Sequence, residues 1–237
     1  MITIAAIATI AFILADIGHE VVGHWIGFAL AGGHGGVFTT TRLIETQRLG
    51  DAGGVLFDLG GPFGNLLFAA IAWLLLRQTR SAHFRLLLGL TLAFSLFWAF
   101  GYLILSGAKA GGDWWAAVQF LPYPWLWRIV FIASGIWLYR ESLRAVGTLM
   151  PCSRETAVVC YIAGGVIATL GAALDPRGIT VGLHDGALVG FGSTVGLLFL
   201  PRSAEQSIRR SIPWIAAAAA SAAFFIGALG PGIRFSF

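Results

Sequence analysis

The sequence predicts an all-α polytopic membrane protein of about six to seven transmembrane helices, with a short re-entrant β segment between the first two. Three observations carry this prediction. Hydrophobic residues fill 57% of the 237 positions and charged residues only 11%, against about 25% charged in an ordinary soluble domain. Mean hydropathy is +0.83. So few charges cannot cover a water-facing surface, which points to lipid as the solvent. Apolar runs also recur at lengths near the ~20 residues that a spanning helix needs. Between the first two runs, glycines and β-branched residues break the helical pattern.

The first run covers residues 3–30. No basic stretch precedes it and it outruns a signal-peptide core, so it reads as a retained helix rather than a cleaved leader. After it comes "GGHGGVFTTTRLIETQRLGDAGG", whose "VFTTTRLIET" is rich in β-branched residues and reads as a short hairpin or re-entrant strand. At membrane depth such a strand must be buried in protein or line an aqueous cavity. Runs near 54–76, 86–108 and 124–147 are the clearest helices, followed by 156–174. The last two, 180–200 and 213–231, contain "VGLHDGALVGFGSTVG" and "AAAAASAAFF", where small residues let helices approach closely. No internal repeat is evident.

Basic residues give an orientation. Nine arginines follow the second, fourth and sixth runs, Arg202 among them, against six basic residues on the other side, including Arg48. That bias favours a cytoplasmic N-terminus. The net charge of +4 is spread over loops, which suits lipid headgroups and not nucleic acid. Cys152 and Cys160 have no metal-ligand spacing and are too few for a disulfide framework; they read as inert thiols packed in or near a helix. The expectation is a multi-pass protein of a bacterial inner (cytoplasmic) membrane.

Within the first run lies "ADIGHEVVGHWI". Ionisable groups inside a spanning segment are costly, so their default reading is functional. His19-Glu20-Val21-Val22-Gly23-His24 is one residue longer than the HExxH zinc signature. At i and i+4 two histidines lie about 40° apart around a helix; at i and i+5 the offset is about 140°. A π-bulge brings i and i+5 back to one face, and Gly23 eases it. Neutral imidazoles suit Zn²⁺, and Glu20 beside the first ligand suits a general base acting on a water. The alternative is a structural network in which backbone carbonyls, Asp16 and Glu20 satisfy both histidines.

A third ligand must come from elsewhere. Asp113 in "AKAGGDWWAAV" is a hard oxygen donor in a Gly-rich break, although a solvated Asp beside interfacial tryptophans is the competing reading. Asp58 in "LFDLGGPFGN" competes as a ligand or as a histidine's outer partner. His34 is a weaker candidate, and His83 reads as headgroup-facing surface. His184-Asp185 reads as a structural or outer-shell pair, with a proton relay as the alternative.

Three stretches together resemble a family. "HEVVGH", "GGPFGNLLFA" and "GGDWW" resemble the intramembrane site-2 protease class of zinc metallopeptidases, over roughly residues 10–118. That class has HExxH in one core helix, a Gly-Pro-x-x-Asn type motif in the next and a zinc-binding Asp on a third. The resemblance implies a catalytic core at 1–118 and additional transmembrane helices of unassigned role at 119–237. It implies Zn²⁺ held by His19, His24 and Asp113, Glu20 as catalytic base, and Asn65, after Gly61 and Pro62, positioning the substrate or the oxyanion. The implied activity is hydrolysis of peptide bonds in a membrane-embedded protein substrate, with "VFTTT" as an edge strand that pairs with the unwound substrate. The first motif here is one residue longer than the family's. The aspartate sits in Gly-Asp-Trp and not in an Asp-Gly setting near an Asn-x-x-Pro.

Two other readings stand beside this one. A zinc-dependent membrane lipid hydrolase would cut an amide or ester, but such a fold calls for several late histidines and only His184 is late. A non-catalytic membrane assembly or binding protein would keep the site as a metal binder or a vestige.

Overall fold

The computed structural model describes residues 1–47, 49–201 and 208–236. Arg48 and Arg202, both counted in the charge bias, lie outside the described residues. The first helix, α1, runs Ile2–Leu30 and contains a seven-residue π-helical segment, Ile17–Gly23. The bulge expected from the histidine spacing is therefore present and covers the motif from His19 to Gly23, with His24 opening the α-helical turn that follows. A π turn loses contacts along the helix's own axis, so close packing from outside must support it. That packing comes from α2, Asp51–Gln78. A Cβ on Gly23 would run into the Gly60 carbonyl, and one on Gly64 into the Gly18 carbonyl. Here the two backbones touch with no side chains between them, in the small-residue pattern of close helix pairs.

Between α1 and α2 the chain forms the expected hairpin. Strand β1 is Gly35–Phe38 and β2 is Leu43–Glu45, antiparallel with Val37 opposite Ile44. The turn is closed by Thr39, whose hydroxyl donates to the Arg42 carbonyl at 2.9 Å and accepts from the Thr41 and Arg42 amides. A third strand, β3 at Ile233–Ser236, pairs with the other side of β1, giving the order β2-β1-β3. This strand was not anticipated. It also changes the strand reading: β1 is central, so the free edges of the sheet belong to β2 and β3. Phe38 stacks on Phe235 at 4.2 Å, fixing the register from one face.

The remaining helices are α3 (Ala82–Lys109), the short α4 (Asp113–Ala116), α5 (Pro124–Leu149), α6 (Arg154–Ala172), α7 (Ile179–Thr194) and α8 (Ile212–Leu229). Among the described residues, five helices are long and apolar enough to cross a membrane: α1, α2, α3, α6 and α8. The sequence suggested seven runs. The one at 124–147 forms α5, but every stretch of it as long as the 18-residue α8 contains at least three of Arg128, Arg140, Glu141 and Arg144. The one at 180–200 forms a 16-residue helix ending in a 3₁₀ turn, Val195–Phe199. Charge in one case and length in the other remove them from the set.

The apolar core lies between α1, α3 and α6. Phe12 of α1 meets Phe94 edge-on and Trp98 face-on, each at 6.0 Å, and Ile167 and Leu197 close the cluster. Burying these aromatics fixes the rotation of α1, and so fixes which way its π segment faces. A polar tie joins the hairpin turn to the loop between α6 and α7. Arg177 donates to Asp175 at 2.9 Å, to Asp185 at 2.9 Å and to Thr41 at 3.1 Å, while the Thr41 hydroxyl also donates to Asp175. Cys152 and Cys160 are buried.

Candidate metal centre

The π segment turns His19 and His24 onto one face, with ring centroids 5.1 Å apart and planes nearly perpendicular. Asp113 arrives from α4, just beyond the end of α3. Its Oδ2 lies 3.0 Å from His19 Nε2 and 3.6 Å from His24 Nε2. Donor atoms of these three residues all fall within 4.8 Å of one another. Tetrahedral bonds of about 2.1 Å to zinc would separate neighbouring donors by about 3.4 Å, so the spacing brackets what a zinc ion needs.

The outer hydrogen bonds decide which ring nitrogens face the centre. Asn65 donates its amide N–H to the Ala15 carbonyl at 3.2 Å, which turns its oxygen to His19 Nδ1 at 2.5 Å. His19 Nδ1 must then carry the proton. His24 Nδ1 lies 2.9 Å from the Phe57 carbonyl, which can only accept, so it too is protonated. Pro62 helps, because it deprives the neighbouring Asp58 carbonyl of its helical donor and loosens the ladder there. Both Nε2 atoms therefore point lone pairs at a carboxylate oxygen. Acceptors 3.0 Å apart repel unless a cation lies between them, either a metal ion or a second proton on each ring.

Space is left for that cation. A Cβ on Gly61 would sit 2.5 Å from His24 Nε2 and 2.6 Å from His19 Nε2, so the missing side chain opens the point between the two donors. Glu20 closes another side, with one oxygen 3.9 Å from each Nε2. Its Oε2 is buried with no hydrogen-bond partner among the described residues. Two nitrogens and one carboxylate oxygen fit a catalytic zinc's protein ligands, and the carbonyl and amide behind the rings are the outer partners such ligands use. Trp98 stacks on His19 at 4.6 Å and shields that face. Burial alone would raise the Asp113 carboxyl, but in the metal-free state His24 and His19, with a second proton on each ring, outweigh burial and hold it below the ordinary carboxylate range.

Each sequence-predicted residue has a definite place. His19, Glu20, His24 and Asp113 come together. Asn65 is fully buried behind His19, and its amide engages His19 Nδ1 on one side and the Ala15 carbonyl on the other. Asp58 is close enough to Asp113 and His24 to feel their charge, yet it is outside the donor set. His34 is exposed. His83 lies 3.0 Å from the Arg209 carbonyl at the surface. His184 is exposed and pairs with Asp185 at 3.2 Å, away from the centre. Sequence reasoning missed Trp98, Tyr102 and the space at Gly61, none of which has a local signature. Comparison with known protein families, curated proteins and solved structures finds no match to this chain.

Proposed function

We propose that this chain is a multi-pass membrane zinc peptidase of the site-2 protease kind, hydrolysing peptide bonds of membrane-embedded protein substrates. One observation carries the reading. Two imidazole lone pairs and the Asp113 carboxylate converge on a point that Gly61 leaves open, beside Glu20, whose Oε2 has no hydrogen-bond partner among the described residues. A zinc ion held by His19, His24 and Asp113 supplies Lewis acidity to a scissile carbonyl and acidifies water.

The chain's own groups do the rest. Glu20 takes a proton from the attacking water as its oxygen adds to the carbonyl carbon, then returns it to the amide nitrogen as the C–N bond breaks. A carboxylate with an oxygen 3.9 Å from each Nε2 reaches both positions by a small torsion. Asn65, the Phe57 carbonyl and Trp98 keep the imidazoles from rotating. The five apolar helices support a membrane setting, and Leu67, Ile71, Leu74 and Leu75 on the outer face of α2 suit contact with lipid. A lipid-hydrolase reading is disfavoured, because His184 stands outside the site.

The test is zinc content of the detergent-purified protein, for wild type, His24→Ala and Asp113→Ala. About one zinc per chain, lost in both variants, is expected, followed by cleavage of a transmembrane peptide that Glu20→Gln abolishes. No zinc after reconstitution would overturn the reading. The cluster would then be two doubly protonated histidines clamped by carboxylates, as in a structural network.

A further inference from the structure

The third ligand is the least anchored by sequence, since it lies beyond the end of α3 in a glycine-rich break. Two side chains of α3 reach the site one helical turn apart. Trp98 stacks on His19, and Tyr102 lies 6.1 Å from the same ring at 52°. Past Lys109 the chain leaves the helix through Ala110, at φ +52°, and Gly112, at φ +81°. Gly112 is required twice over. Its φ disfavours any side chain, and a Cβ there would sit 2.6 Å from the Tyr102 hydroxyl oxygen and 2.7 Å from Cζ. The phenol end of Tyr102, its oxygen included, thus packs on the Gly112 α-carbon, immediately before Asp113. On the other side, Trp114 Nε1 donates to the Ala99 carbonyl at 3.1 Å. Asp113 is held between two ties that both run back to α3.

Resting on the metal-centre reading above, we infer that Tyr102 is a positioning residue. Its hydroxyl holds the Gly112–Asp113 backbone so that the Asp113 carboxylate stays at ligand distance from both histidines. A free carboxylate in a glycine-rich turn would lose several rotatable bonds on binding metal; one held beforehand loses fewer.

The experiment uses Zn²⁺ and Co²⁺ as probes on the full chain in detergent. Tyr102→Phe keeps the ring on Gly112 and removes only the oxygen. Zinc affinity by chelator competition is expected to fall about 10–100-fold, the range seen when an outer partner of a ligand is removed. The visible bands of bound Co²⁺ should weaken as the carboxylate becomes loose. The melting temperature of the metal-free protein should stay within about 2 °C of wild type. Unchanged affinity and Co²⁺ bands in Tyr102→Phe, with wild type binding normally, would overturn the inference alone. So would a loss of affinity that tracks a matching loss of metal-free stability. If wild type binds neither ion, the metal centre itself falls and the inference falls with it.

Discussion

At Gly61 the absence of an atom is what matters. Its α-carbon faces the point where two Nε2 lone pairs and a carboxylate oxygen converge. Gly61→Ala would put a methyl group 2.5 Å from one nitrogen and 2.6 Å from the other. Zinc affinity is expected to drop more than tenfold, measured by chelator competition. Gly54→Ala, in the same helix with nothing near its Cβ, should leave affinity alone and stabilise the protein by about 0.5–1 kcal/mol. Equal zinc binding in the two variants would show that the cation does not sit between the imidazoles. The residues that bear charge here were legible in the sequence, because a carboxylate or imidazole in an apolar run is conspicuous. Gly61 and Trp98 were not, because a missing side chain and a stacked indole gain their meaning only when a distant segment folds against them. Asn65 was legible as a residue of interest, but its role was not. Which way an amide points depends on the Ala15 carbonyl of another helix.

Among the elements, the α1–α2 contact supports the site more than any other. The carbonyls of Gly18 and Gly23 meet Gly64 and Gly60 directly, which brings the π segment, Gly61 and Asn65 together. Gly64→Ala must push the helices apart, because its new methyl would meet a carbonyl rather than a flexible side chain. A loss of about 1–3 kcal/mol in detergent unfolding is expected, the usual cost of forcing a methyl into a packed contact. Weaker zinc binding should accompany it, as Asn65 withdraws from His19. A variant as stable as wild type would show that the helices are not in contact there. The spacing of the histidines made the π segment legible, and β-branched residues made the hairpin legible. Strand β3 was not legible, since four residues after Gly230-Pro231-Gly232 carry too short a pattern to separate from a loop. Of the two further runs, the one at 124–147 carries Arg128, Arg140, Glu141 and Arg144, and the one at 180–200 forms a helix of only 16 residues, features that average hydropathy does not separate.

Across the whole molecule, distant segments of sequence converge on the hairpin. β3 pairs with β1, and Arg177 ties Asp175 and Asp185 to Thr41. Burial alone would raise the Asp175 carboxyl, but hydrogen bonds from Arg177 and Thr41 outweigh it and hold the group below its ordinary range. A depressed carboxyl stabilises the fold fully above its unfolded value of about 3.9 and loses that contribution as pH falls through the lower folded value. Melting temperature should therefore decline below about pH 4 through this group. Arg177→Met leaves a buried carboxylate partly unpaired, at a cost of about 3 kcal/mol near neutral pH. The gap between variant and wild type should narrow as acid neutralises Asp175. A gap that is constant from pH 7 to pH 3 would mean the tie contributes nothing through its charge. None of this tie was legible in the sequence, where Thr41 and Arg177 stand 136 positions apart.

The π segment also bears on how the chain can change. Removing one codon, at Val21 or Val22, would restore the shorter histidine spacing that an ordinary helix accommodates. Because the π segment already absorbs the extra residue, the same deletion would leave Ile2–Asp16 at nearly the same phase, with Phe12 still against Phe94 and Trp98. The spacing of the two histidines can therefore change by one residue without repacking the amino-terminal half of α1, so the π segment separates the geometry of the site from the geometry of the core.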